Sequence, residues 1–146
     1  MNKDYIGCEP EKVLKEVFGY DSFRLLQRKI ISNVLNKKDT LAIMPTGGGK
    51  SLCYQIPALI FDGITVVVSP LISLMQDQVD SLSASGINAV FLNSTLDLDK
   101  YLESMNSIRR GETKILYVSP EGLSSPKIQD LLHDSPSRSN WNKLCN

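Results

Sequence analysis

Residues 44–51 read Met-Pro-Thr-Gly-Gly-Gly-Lys-Ser, and their reading decides the fold. They stand between a short apolar run, residues 41–44, and a stretch of helical character, residues 51–59, in which Pro57 is tolerated near the end. A glycine-rich turn that closes on Gly-Lys-Ser between a strand and a helix is a phosphate-binding pattern. Gly47, Gly48 and Gly49 let the backbone curl so that N–H groups, with that of Thr46, face a common centre. A helix starting near Lys50 turns the positive end of its dipole on the same centre. Lys50 can reach β- and γ-phosphates as a point charge, which makes it the candidate catalytic residue. The Ser51 hydroxyl is the candidate Mg²⁺ ligand. The strict pattern has glycine where this chain has Met44.

Downstream, residues 64–68 are a continuous β-branched run, as in a strand buried on both faces. Helical spacing over 71–82, a strand at 89–92, a helix over 97–110, a strand at 114–118 and a helix over 126–132 follow. Alternating strands and helices predict an α/β fold with a parallel sheet and right-handed crossovers. Counting residues 41–44, four strands are expected, with loops opening at the carboxyl edge near Pro45, Ser69, Asn93 and Ser119. Residues 134–142 are rich in Ser and Asn and read as a loop, with Leu144 and Cys145 beginning a further strand.

Upstream, Val13, Leu14, Val17 and Phe18 predict a helix over 11–18 that Gly19 ends. Ser22 is the expected N-cap of a second helix carrying Phe23, Leu26, Ile30 and Val34 near one face. Arg24 and Gln27 would then share a face, with Tyr20 just before them. An aromatic ring and a guanidinium can sandwich a flat base, and a Gln amide matches the N6/N7 edge of adenine. Alone, such a triplet is more often a solvated face. Ahead of a phosphate loop it makes an adenine pocket, so ATP with Mg²⁺ is the expected cofactor set.

The composition sets the bounds. With 146 residues there is room for one sizeable core, and 42% hydrophobic against 22% charged residues is normal for a folded domain. Basic and acidic residues number 16 each, so no general basic footprint for nucleic acid exists. Cys8, Cys53 and Cys145 are odd in number and far apart, which indicates neither a disulfide framework nor a zinc pair. An intracellular, reducing setting fits: cytoplasm in a bacterium, nucleus in a eukaryote. Residues 1–10 hold no apolar signal core, and no apolar run would span a bilayer. His133 and Trp141 receive no role.

Several stretches in order resemble one family. Phe18-Gly19-Tyr20, Phe23-Arg24, Gln27 and Ile30 are similar to the adenine-recognition motif of RecQ DNA helicases, and residues 44–59 to their Walker A region. Met44 is a relaxation seen in helicases. Residues 66–79, Leu92-Asn93-Ser94-Thr95 and residues 117–123 resemble the motifs that follow, with Gly122 where an arginine is usual. The likeness covers residues 13–132. It implies a RecA-like lobe and ATP-driven 3′-to-5′ unwinding of duplex DNA in recombination and repair. It also implies that Ser69, Pro70, Leu71, Asn93, Ser94 and Thr95 lie near a DNA-facing edge, meeting a single strand or a duplex junction. Without the family, the same residues read as ordinary turn formers.

In the family the acidic pair that holds Mg²⁺ and polarises water lies in an Asp-Glu-Ala-His box, and no such box occurs in this sequence. The expectation is therefore a lobe truncated before the Walker B strand: residues 1–40 as helices with the adenine motif, residues 41–146 as a partial ATP-binding lobe. Two functions remain open. One is the front of an ATP-dependent DNA helicase, inactive alone. The other is a truncated nucleotide-binding module without hydrolysis.

Overall fold

The computed structural model describes residues 4–134 and 142–145. Two compact units divide the chain, one ending at Asp62 and one beginning at Gly63.

The first unit is helical. Helix α1 spans Pro10–Phe18, opened by a proline in its first turn, where the missing N–H costs nothing. It ends on Gly19 at φ 74°, whose N–H reaches the Lys15 carbonyl while the Tyr20 N–H reaches that of Leu14. This is the left-handed stop expected of Gly19. Helix α2 spans Gln27–Leu35 and helix α3 spans Lys50–Ile60; α1 and α2 both pack on α3. Val13, Leu14, Ile31, Ile56 and Leu59 are buried.

Two sequence expectations fail in this unit. Ser22 does not cap α2; Leu26 precedes the helix, with no side-chain cap. The turn before it is closed instead by Gln27, whose Oε1 accepts the Arg24 N–H at 2.8 Å and whose own N–H bonds the Arg24 carbonyl at 3.0 Å. That reach-back is half of a capping box, and it moves the helix start past Ser22. Arg24 consequently precedes α2 rather than lying on it. The second failure is the first strand. Residues 41–44 form no strand, and Leu41 and Ile43 are 90% and 87% exposed. An apolar run becomes a strand only where a ladder accepts it, and no described segment pairs with this one.

The second unit is a parallel sheet with helices on both faces. Strand β1 (Thr65–Val68) leads through α4 (Ile72–Ala84) to β2 (Ala89–Leu92), then through α5 (Leu98–Arg109) to β3 (Ile115–Val118). The short α6 (Pro120–Leu123) and α7 (Pro126–Asp134) precede β4 (Asn142–Cys145). The sheet order is β2-β3-β1-β4, and every pairing is parallel. The strands at 64–68, 89–92 and 114–118 thus appear as read, and the further strand at Leu144 and Cys145 forms within β4. The expected loop at 134–142 overlaps residues 135–141, outside the described residues.

This order dictates the layers. From β1 to β2 the chain moves one way across the sheet, and from β2 to β3 it moves back. With right-handed crossovers, α4 and α5 fall on opposite faces. On the α5–α7 face, Val66, Val68, Leu116 and Val118 form a core with Met105, Ile108, Ile128 and Leu131.

Candidate functional site

The glycine-rich loop is a turn built on two left-handed residues. Gly47 sits at φ 80° and Gly49 at φ 75°, a region where a side chain is strained. The Gly48 N–H bonds the Pro45 carbonyl at 3.0 Å. Gly49 is the N-cap of α3, so Lys50 and Ser51 occupy its first two positions, Lys50 exposed and Ser51 half-buried. Among the described residues, no acceptor faces the N–H groups of Gly47, Gly49, Lys50 and Ser51. Free N–H groups at a helix start attract an anion.

The residues read as an adenine motif converge on this loop from the other side. Arg24 Nη1 donates to the Gly47 carbonyl at 3.1 Å, and Gln27 Nε2 donates to the Gly49 carbonyl at 3.1 Å. Gln27 is 2% exposed, and Tyr20 is 53% exposed. A Cβ on Gly49 would fall on the Gln27 amide. The structure thus brings Arg24 and Gln27 together with Gly47 and Gly49, holding the loop by its carbonyls and leaving the N–H groups of Gly47, Gly49, Lys50 and Ser51 unengaged. Sequence reasoning missed this contact, because it treated both side chains as ligands of a base. Cys53, one turn into α3, lies 3.9 Å from both the Gly49 carbonyl and Met44 Sδ, and burial pushes its thiol pKa up.

A second set lies at the carboxyl edge of the sheet. Val68, Val118 and Leu92 are in register, so the residues that follow them, Ser69, Ser119 and Asn93, line one edge. Ser69 is buried, bonds the Val118 carbonyl through its N–H at 3.0 Å, and accepts the Leu71 N–H at 3.3 Å. Asn93 Oδ1 accepts the Thr95 N–H at 2.9 Å and the Thr95 hydroxyl at 2.6 Å. Pro70, Leu71, Ser94 and Thr95 are at the surface. Ser119 stands between the two predicted stretches, and its hydroxyl accepts the Gly122 N–H at 3.0 Å. Its place at the carboxyl edge is the one read from the sequence. Among the described residues, no group of three His, Cys, Asp or Glu could hold a metal ion, and no helix is long and apolar enough to cross a membrane.

A glycine-rich turn feeding a helix at Gly-Lys-Ser, in a chain whose sheet is parallel and wound on both faces, defines an α/β protein of the phosphate-loop class. Residues 24–140 match the model of the DEAD/DEAH box helicases, and the chain belongs to that family. It is 51% identical over 133 residues to the ATP-dependent DNA helicase RecQ of Haemophilus influenzae, covering 91% of this chain and 20% of that protein. It is 57% identical over 120 residues to RecQ of Pasteurella multocida, covering 82% and 19%. Rat ATP-dependent DNA helicase Q5 is 46% identical over 129 residues, covering 86% of this chain and 13% of that protein. The resemblance to RecQ helicases read from the motifs therefore holds over most of the chain, which spans about a fifth of the bacterial relatives.

Proposed function

We propose that the chain binds ATP with Mg²⁺ as the nucleotide-binding part of a RecQ-type, 3′-to-5′ ATP-dependent DNA helicase acting in recombination and repair. The observation that carries this reading is the set of unengaged N–H groups of Gly47, Gly49, Lys50 and Ser51 beside the exposed Lys50 side chain. Phosphate oxygens take those N–H groups, Lys50 neutralises the β- and γ-phosphates, and Ser51 ligates Mg²⁺. Thr46 and Gly48 complete the cradle.

Tyr20, Arg24 and Gln27 take the base. Gln27 has one amide hydrogen and one oxygen lone pair beyond its two contacts in the structure, enough for both partners on the adenine edge. Because that amide is covered, nearby side chains must shift when the base enters. Ser69, Pro70, Leu71, Asn93, Ser94 and Thr95 hold the phosphates of a DNA strand through N–H and hydroxyl groups. The names of the relatives, all ATP-dependent DNA helicases, support both halves of this reading.

Hydrolysis needs a carboxylate beside the metal. The residues directly after β1, β2, β3 and β4 are Ser69, Asn93, Ser119 and Asn146, none of them acidic. Residues 1–146 are therefore expected to bind Mg-ATP without turning it over. Calorimetric titration with Mg-ATP and Mg-GTP, alongside a phosphate-release assay, tests this. Preference for ATP without release is expected; equal affinities, or DNA-stimulated release, would contradict the assignment.

A further inference from the structure

A cavity of about 360 Å³ opens beside the carboxyl end of β2, within the range of small-ligand pockets, ~300–1,000 Å³. Asn93 and Ser94 after β2, Tyr101 of α5, Gly122 of α6, and Lys127 and Ile128 of α7 line it. Its chemistry is mixed in a particular way. Tyr101 supplies a ring held against the core by the α5–α7 packing. Leu96, Leu98 and Ile128 supply apolar surface. Lys127 supplies a cation near the surface. Asn93 adds an unmet demand: its Nδ2 is buried without an acceptor, while its Oδ1 is committed to Thr95. A buried donor left unpaired is costly, and a ligand that brings an acceptor recovers that cost.

We infer that this cavity receives one unstacked base of the bound nucleic-acid strand. This rests on the proposed role of the sheet edge in holding a strand, and it adds that a base, not only the backbone, is gripped there. A base is flat and apolar on its faces, which suits Tyr101 and the leucines. Its edge carries carbonyl or ring-nitrogen acceptors for Asn93 Nδ2. The phosphate joined to it is anionic, which suits Lys127. The cavity stays open because position 122 has no side chain; a Cβ there would meet only Ser119 Oγ at 3.2 Å and the Leu92 carbonyl at 3.8 Å.

The test compares the intact chain with Tyr101→Leu and Gly122→Leu, each first shown by circular dichroism to fold. Tyr101→Leu removes the ring and keeps apolar bulk, and Gly122→Leu fills the space. Binding is measured by fluorescence anisotropy to a labelled thymidine oligonucleotide and to an abasic one of equal length. The proposal expects the intact chain to favour the thymidine strand about tenfold, and both variants to lose that preference while holding the abasic strand unchanged. A 4-thiothymidine strand should crosslink to Tyr101 in the intact chain, a readout independent of the variants. Equal affinity for the two strands with no crosslink at Tyr101 overturns the base pocket and leaves the strand-binding edge standing. Binding to neither strand overturns both.

Discussion

Gln27→Glu is a nearly isosteric change that isolates the contact between the upstream turn and the phosphate loop. In the structure Gln27 Oε1 takes the Arg24 N–H at 2.8 Å, and Nε2 gives a hydrogen to the Gly49 carbonyl at 3.1 Å. Glutamate preserves the first bond and replaces the second donor with an anionic oxygen facing a carbonyl oxygen. The lost hydrogen bond is worth about 0.5–1.5 kcal/mol, and a buried group left unsatisfied costs about 1–3 kcal/mol or more when charged. A deficit of about 2–4 kcal/mol at neutral pH is expected. Gln27→Ala, which removes both bonds without adding charge, should cost about 1–3 kcal/mol. Urea unfolding is the assay: with a slope of about 2 kcal/mol per molar, the middle of the range for a small protein, the Gln27→Glu midpoint should fall by about 1–2 M. The pH dependence gives a second check. A neutral carboxyl can donate to the Gly49 carbonyl, so the folded state favours the protonated form and the pKa of the introduced carboxyl rises on folding. The deficit should therefore be small below the unfolded value of about 4.3 and grow as pH rises. A Gln27→Glu midpoint equal to that of the unchanged chain at neutral pH would refute the contact.

Gly49→Ala should destabilise the chain by at least about 1 kcal/mol, from the left-handed backbone alone, with the collision on Gln27 adding to it; urea unfolding reads this too. Leu41→Ser and Ile43→Ser should each change the stability of residues 1–146 by less than about 0.5 kcal/mol, because both side chains are exposed, whereas burial in a strand would make the loss several-fold larger. Iodoacetamide at mild alkaline pH should modify the half-buried Cys8 before Cys53, whose buried thiol has a raised pKa; peptide mass mapping over time decides it.

Much of the fold was legible because its signals were local. The continuous β-branched run at 64–68 and the Ile-Leu-Tyr-Val run at 115–118 read as buried strands, and Gly19 stops a helix by its own conformational freedom. The failure at 41–44 was of a different kind. An apolar run ahead of a glycine-rich turn reads as a strand, but a strand also needs a neighbour, and neighbours belong to topology rather than to a window of sequence. Ser22 failed because a stronger competitor, the Gln27 side chain, closed the turn further along. At the site, glycines and Lys50 were readable from spacing. The hold that Arg24 and Gln27 have on loop carbonyls was not, since a contact across more than twenty residues leaves no periodic trace. Tyr101 and Lys127, which line one cavity with Gly122, escaped for the same reason: they lie on different helices, 26 residues apart.

The central claim is a nucleotide site at residues 46–51, and a paired calorimetric titration of residues 1–146 and the Lys50→Ala variant with Mg-ATP tests it most directly. Removing the ammonium deletes a charge-assisted bond to phosphate worth about 1.5–3 kcal/mol, so the affinity should fall by about 10- to 150-fold while urea stability stays unchanged, because Lys50 is exposed. Binding of equal strength by the two proteins would contradict the account.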